Sequence, residues 1–136
     1  MNIQVDNALL YTKPQILICD DDREFSAELI EALQLRGYTA SALLSLSAIR
    51  AAILAPNILL LDVCMPEPDG FEILGMLARH DRRHHFKIVM ISGGEEHLLN
   101  TAGKFCELNG LKLLGTMRKP IEIRALCDLI VSAALV

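Results

Sequence analysis

Short apolar runs alternate with amphipathic segments from residue 15 to the end of the chain. Each run is bounded by turn-forming residues, which is typical of strands buried on both faces of a sheet. The pattern predicts five strands, at Ile16–Cys19, Tyr38–Leu43, Asn57–Asp62, Lys87–Ile91 and Leu111–Met117. Five strands separated by helices, with short links, predict a (βα)5 parallel sheet that carries helices on both faces.

Helical periodicity fills the intervals between these strands. A first helix follows Asp22 and ends at Arg36-Gly37, and a short second helix covers Ser47–Leu54. Asp69 is placed to cap the third helix, and Glu95 starts the fourth with a charge that favours its N-terminus. One face of the predicted third helix is formed by Phe71, Leu74, Gly75 and Ala78. The last helix is predicted to bury a face made of Leu126, Leu129, Ile130 and Ala133.

Size and composition narrow the class of protein. A chain of 136 residues predicts one domain, and its net charge of −4 gives no electrostatic reason to bind nucleic acid or an anionic membrane directly. The four cysteines lack CxxC spacing, which favours a reduced, cytoplasmic protein without structural zinc. Residues 1–14 do not resemble a signal peptide. This N-terminal arm is either disordered or a helix that packs against a partner.

Polar residues follow four of the predicted strands. Asp20-Asp21-Asp22 follows the first strand, Asp62 ends the third, Ser92 follows the fourth and Lys119-Pro120 follows the fifth. Ligands of an open parallel sheet bind outside the carboxyl ends of its strands, so we expect these side chains to converge. Acidic groups, a hydroxyl and a lysine at one edge outline a metal-assisted phosphoryl site.

Each of these residues also has an ordinary structural interpretation. Adjacent acids suit either a divalent cation or a helix N-terminus, and Asp22 is the best candidate for a plain cap. A carboxylate nucleophile at Asp62 would need a metal to neutralise phosphoryl oxygens. Ser92 taken alone is a loop residue, and Lys119 is a point cation suited to phosphate. Pro120 beside it is a candidate for a cis bond. The ordered set is more specific than any member.

With these residues in this order, the chain resembles the receiver domain of bacterial two-component response regulators over residues 15–136. The resemblance implies a flavodoxin-like, doubly wound α/β fold of strand order 2-1-3-4-5. It implies that Asp62 is the phosphoacceptor and that Ser92 and Lys119 bind the phosphoryl group. It also implies an Mg²⁺ site made of Asp20, Asp21, Asp62 and the backbone carbonyl of Cys64.

One position departs from the family pattern. The residue three before Lys119 is usually Tyr or Phe, and here it is Thr116, so the usual aromatic switch partner of Ser92 is absent. The segment from Gly110 to Pro120 further resembles receivers fused to EAL-type cyclic-di-GMP phosphodiesterases. The implied partners are a sensor histidine kinase or phosphotransfer protein, and an output domain in cis or an effector in trans. A homodimer through the fourth helix, fifth strand and fifth helix is compatible with the resemblance.

Two other functions compete with this interpretation. A haloacid-dehalogenase-like phosphatase would use Asp20 and Asp22 on the first strand, but it leaves Asp62 unexplained and lacks the acidic pair expected after the lysine. A pseudo-receiver would bind a partner without phosphorylation, which only Thr116 favours. We therefore expect a phosphoacceptor domain that catalyses no reaction beyond its own phosphorylation and dephosphorylation.

Overall fold

The strands form one parallel sheet of order β2-β1-β3-β4-β5, as predicted. In a computed structural model of the chain, residues 13–53, 57–65, 69–81 and 83–134 are described, the side chain of Ala134 excepted. No helix among these residues is long and apolar enough to cross a membrane. The elements are β1 Gln15–Cys19, α1 Arg23–Leu35, β2 Thr39–Ala42, α2 Leu46–Ala52, β3 Asn57–Asp62, α3 Gly70–Ala78, a 3-10 turn Arg83–His85, β4 Phe86–Ser92, α4 Glu96–Leu108, β5 Lys112–Arg118 and α5 Ile123–Ala134.

The sheet is buried on both faces. Ile16 and Ile18 of β1 pack towards α1 and α5, whereas Leu17 and Cys19 pack towards the opposite layer, formed by α2, α3 and α4. All residues of β3 are buried. Continuous apolar runs are the direct result of this two-sided burial.

The predicted bounds are correct to within one or two residues where they can be compared. The second and fifth strands differ by one residue at each end. Helix α2 begins one residue earlier than predicted, and Leu54 lies outside the described residues. Residues 1–12 of the predicted arm also lie outside them. Its last part contacts the domain, since Lys13 Nζ donates to the Arg36 carbonyl at 2.6 Å.

The apolar face of α3 that the sequence indicates is only partly the buried one. The residues of α3 that are buried are Gly70, Ile73, Leu74, Met76 and Leu77, whereas Phe71, Gly75 and Ala78 are half-buried. This helix is apolar around most of its circumference, so its sequence periodicity does not select one face. The neighbouring sheet and α4 make the selection.

Strand β5 contains a bulge. Ile88 pairs with Leu113, but the next residue, Val89, pairs with Gly115, so Leu114 is extra. A side chain at Gly115 would point at α5, because its Cβ would lie 3.2 Å from Leu129 Cδ1. The bulge therefore places an unusually small residue against α5 and changes which residues of the strand's end face each helix layer.

Gly70 lets α3 start directly against the end of β3. A Cβ there would lie 2.7 Å from Val63 Cα and 2.8 Å from the Asp62 carbonyl oxygen. Both neighbours are backbone atoms, which cannot move aside as a side chain can. The close approach fixes the backbone that carries Asp62.

We expect Gly70→Ala to lower the free energy of unfolding by about 1–3 kcal/mol, the usual cost of overpacking. Gly75→Ala, in the middle of the same helix, is the matched control. Its Cβ would meet only Arg79 Nη1 at 3.5 Å, so the better helix propensity of alanine should stabilise the protein by about 0.5–1 kcal/mol. Urea unfolding measures both values, and equal stabilities for the two variants would contradict the close approach at Gly70.

Candidate functional site

Asp20 and Asp62 are buried carboxylates at the carboxyl ends of the adjacent strands β1 and β3. Their exposed fractions are 0% and 4%. Asp20 Oδ1 accepts the N–H of Asp22 at 2.9 Å, and Asp62 Oδ1 accepts the N–H of Cys64 at 2.9 Å. One oxygen of each carboxylate is thus fixed by the loop that follows its strand, and Oδ2 of each is directed to a shared partner.

That shared partner is Lys119, which follows β5. Its Nζ lies 2.7 Å from Asp20 Oδ2 and 3.3 Å from Asp62 Oδ2. The same ammonium lies 4.4 Å from the centroid of the Phe25 ring. The Lys119-Pro120 peptide is cis, in agreement with the sequence-based expectation. A lysine three strands away from Asp20 therefore contacts both buried carboxylates and offsets part of their charge.

Burial acts in opposite directions on the pKa values of Asp62 and Lys119, yet both pKa values are raised. Burial raises the pKa of Asp62, and the charge of Asp20 raises it further, although the Cys64 N–H and the charge of Lys119 oppose the rise. For Lys119, burial works to lower the pKa, but its contact with Asp20 and the charges of Asp62 and Asp20 together raise it. The site therefore holds a firmly protonated ammonium beside a carboxylate that is costly to keep ionised.

Asp21 completes a cluster of three carboxylates. Asp20, Asp21 and Asp62 each offer an oxygen, and these oxygens all lie within 4.8 Å of one another. Asp21 is exposed and the other two are buried, which gives a ligand from solvent a side from which to enter. Clustered carboxylate oxygens suit Mg²⁺, a hard cation that takes oxygen ligands and keeps several waters. Asp22 instead caps α1, accepting the Phe25 N–H at 3.0 Å.

Ser92, at the end of β4, is buried and tied to both neighbouring elements. Its Oγ accepts the N–H groups of Gly94 at 3.1 Å and Glu95 at 3.0 Å. Its carbonyl accepts the Lys119 N–H at 2.9 Å. The hydroxyl thus orders the start of α4 rather than hanging free in a loop.

The predicted switch position, Thr116, is exposed on β5. Arg118, two residues further on, forms an ion pair with Glu96 in the first turn of α4 at 2.8 Å. The sequence pattern does not mark Phe25 or Glu96 as site residues. Phe25 carries a usable signal, because it lies in the first turn of the helix that follows the acidic cluster. The Glu96–Arg118 pair has no such signal, since it depends on the register of β5.

The described cysteines are free, and two of them are strongly buried thiols. Burial raises the pKa of Cys19 to about 12 and that of Cys106 to about 11, so neither is a reactive thiolate. Cys64 is exposed, and the charge of Glu95 is the main cause of its raised pKa. Its N–H fixes Asp62, and the metal-binding role of its carbonyl stays a prediction.

Comparisons with known proteins agree with this geometry. A family model described as the response regulator receiver domain matches residues 16–131. A comparison with proteins of curated function gave no match. Among solved structures, a sensor protein from Polaromonas sp. JS666 is 24% identical with a TM-score of 0.73, covering 90% of this chain and 97% of its own. A CheY-like receiver domain protein from Methanospirillum hungatei JF-1 is 23% identical with a TM-score of 0.70, covering 90% and 94%.

A response regulator from Colwellia psychrerythraea is 25% identical with a TM-score of 0.70, and the match covers 90% of this chain and 98% of that one. The first two structures support the fold, and the family model covers nearly the whole described domain. None of these matches favours the phosphatase or the pseudo-receiver. The chain belongs to the response regulator receiver domain family of two-component signal transduction.

Proposed function

We propose that Asp62 is the phosphoacceptor of this receiver domain and that Lys119 binds the incoming phosphoryl group. The observation that carries the proposal is the Lys119 ammonium, 3.3 Å from Asp62 Oδ2 at the open end of the sheet. A phosphoryl group joined to that oxygen would meet a positive charge at once. Asp62 is also the last residue of β3, and its carbonyl oxygen would lie 2.8 Å from a Cβ at Gly70.

Asp20, Asp21 and Asp62 are the residues that would hold Mg²⁺, together with the Cys64 carbonyl. The three carboxylates bring more negative charge than Lys119 alone can balance, and their oxygens are close together. When bound, the ion supplies positive charge to the phosphoryl oxygens and lowers the repulsion between them and Asp62. The cluster's excess negative charge is the support for this assignment.

In the proposed transfer, one oxygen of Asp62 forms a bond to phosphorus while the bond from phosphorus to the donor's imidazole nitrogen breaks. That nitrogen keeps the electron pair, and the product is an acyl phosphate. Lys119 stabilises the charge that spreads over the phosphoryl oxygens, an effect of position and electrostatics. The raised pKa of Asp62 does not prevent attack, because Lys119 and a bound cation both favour the ionised form.

The domain's response is proposed to begin at Ser92. A phosphoryl oxygen on Asp62 would attract the Ser92 hydroxyl, which now accepts from Gly94 and Glu95. Those two N–H groups lead directly to Glu96, whose carboxylate pairs with Arg118. Movement of the hydroxyl can therefore alter both the start of α4 and the end of β5 without an aromatic residue at position 116.

Receiver domains work with a kinase or phosphotransfer protein and with an output. We propose that this one takes its phosphoryl group from a histidine kinase or a phosphotransfer protein and controls an output domain or effector through the α4–β5 surface. Dimerisation through α4, β5 and α5 is one form that this control could take. The similarity of Gly110–Pro120 to receivers of EAL-type phosphodiesterases stays a prediction.

The direct test is phosphorylation by acetyl phosphate with Mg²⁺, followed by intact-protein mass spectrometry. We expect the protein to gain one phosphoryl group and Asp62→Asn to gain none, because the amide cannot act as the nucleophile. Asp128→Asn, on the exposed side of α5, is the matched control and should gain the group normally. A wild-type protein that binds no Mg²⁺ and forms no adduct would instead indicate a pseudo-receiver.

A second prediction concerns stability in the presence of a chelator. Since the pKa of Asp62 is raised in the folded state, the native protein binds more protons than the unfolded chain between the ordinary pKa and the raised one. Stability should therefore fall as the pH rises through that window. Asp62→Asn keeps an acceptor for the Cys64 N–H and avoids this loss. It should melt at a higher temperature than the wild type at neutral pH. The difference in melting temperature between the two proteins should become smaller in acid.

Thermal unfolding followed by circular dichroism, from acid to neutral pH, measures the difference in melting temperature between Asp62→Asn and the wild type. Asp128→Asn corrects for the general effect of removing one negative charge. A difference in melting temperature that is the same at every pH would refute the electrostatic explanation. So would an Asp62→Asn protein that is less stable than the wild type at neutral pH.

A third prediction tests the coupling from Ser92. Ser92→Ala should leave Mg²⁺ binding intact but weaken the response of α4 and β5 to phosphorylation, because the hydroxyl is the group that moves. It should also cost about 1 kcal/mol of stability through the two lost hydrogen bonds. Amide hydrogen exchange with and without acetyl phosphate measures the response. Thr101→Ala, which removes a hydroxyl bonded to the His97 carbonyl in α4, is the control, and an unchanged response in Ser92→Ala would contradict the coupling.

A further inference from the structure

The aromatic ring of Phe25 is fixed beside the Lys119 ammonium. Asp22 Oδ1 accepts the Phe25 N–H and so anchors the first turn of α1. The half-buried ring packs against the core between α1 and α5, and its centroid lies 4.4 Å from Lys119 Nζ. This distance is well within the range of an attractive contact between a cation and the face of a ring, about 6 Å.

The Lys119 ammonium has one contact with a ring and two with carboxylates, and phosphorylation would affect them differently. Asp20 Oδ2, at 2.7 Å, is also a candidate metal ligand, and Asp62 Oδ2, at 3.3 Å, is the proposed nucleophile. Both oxygens would take new partners during the reaction. The contact with the Phe25 ring uses neither of these oxygens. It can therefore persist while the two carboxylates change partners.

We propose that Phe25 is a positioning residue for phosphoryl transfer: its ring holds the Lys119 ammonium next to Asp62 while Asp20 and Asp62 exchange partners. The inference rests on the proposed function of Asp62. Without the ring, an ammonium released by Asp20 would be free to turn towards solvent on its flexible stem. With the ring, it stays where the new charge on the phosphoryl group develops.

A purely structural role for Phe25 makes different predictions. The ring also lines a groove between α1 and α5, beside Leu29, Ile121 and Ile123. If filling space were its whole contribution, leucine would serve almost as well as tyrosine, and the charge distribution of the ring would not matter. The two roles are separated by changing the electronics of the ring while its shape is kept.

The first experiment compares three variants in the rate of phosphorylation by acetyl phosphate at saturating Mg²⁺. Removing the cation–ring contact in Phe25→Leu should slow the reaction about two- to five-fold, and Phe25→Tyr, which keeps the ring, should restore the rate. Phe105→Leu, a half-buried phenylalanine of α4 outside the site, is the matched control and should react like the wild type. Equal rates for Phe25→Leu and the wild type would overturn the proposal.

The second experiment places fluorinated phenylalanines at position 25. Successive fluorines weaken the negative face of the ring with little change in its shape, so the rate should fall stepwise with their number. The Lys119 side-chain NMR resonances in the metal-free protein should lose their ring-current shift in Phe25→Leu and keep it in Phe25→Tyr. A rate independent of fluorine number, or a Lys119 shift unaffected by Phe25→Leu, would overturn the proposal.

These results are distinguishable from failure of the proposed function. If the wild-type protein forms no adduct, or if Asp62→Asn still forms one, the phosphoacceptor assignment is wrong. The Lys119 resonances then still show whether the ring holds the ammonium, because that measurement needs neither metal nor phosphodonor. If the adduct forms on Asp62 and the Phe25 variants behave like the wild type, only the inference about Phe25 is wrong.

Discussion

The burial of two like charges at the end of one sheet is the constraint on which the rest of the site depends. Asp20 and Asp62 are removed from water on adjacent strands, a placement that is costly unless positive charge is close by. Lys119 supplies that charge from the far side of β4, with its N–H held by the Ser92 carbonyl. Among the described residues, Lys119 is the ammonium that contacts both buried carboxylates and so compensates part of their charge.

The same residues belong to a closed ring of contacts that links the site to the start of α4 and the end of β5. Lys119 is bonded through its backbone to Ser92, and the Ser92 hydroxyl orders the amides that precede Glu96. Glu96 pairs with Arg118, which is the chain neighbour of Lys119. Each of these contacts shares a residue or a peptide bond with the next, so the chain of contacts is continuous. Glu96 and Arg118 form an exposed ion pair at this end of β5, and the exposed Thr116 of the same strand is polar as well.

Much of this could be predicted from the sequence, for identifiable physical reasons. Burial on both faces makes the apolar run of each strand continuous, so the strands can be found in the sequence. Parallel strands bring their carboxyl ends to one edge of the sheet, so the sequence alone places Asp20, Asp62 and Lys119 at that edge. Helix α3 could not be oriented, because apolar residues surround it and its neighbours decide which face is buried. The Glu96–Arg118 pair could not be foreseen either. It requires knowing that Leu114 is extra in β5, and no local propensity encodes the pairing of one strand with another.

That extra residue has a consequence for comparing this chain with others. Leu113 packs with the α3–α4 layer, Leu114 and Met117 pack with the α1–α5 layer, and Arg118 reaches α4. Without the bulge, Met117 would face the α3–α4 layer and Arg118 would face the α1–α5 layer. The bulge thus shifts the register of β5 by one residue and reverses which sheet face each later residue of the strand occupies. An alignment that treats β5 as regular would be offset by one position at its end, and any residue equated with Thr116 or Arg118 on that basis would lie on the opposite side of the sheet.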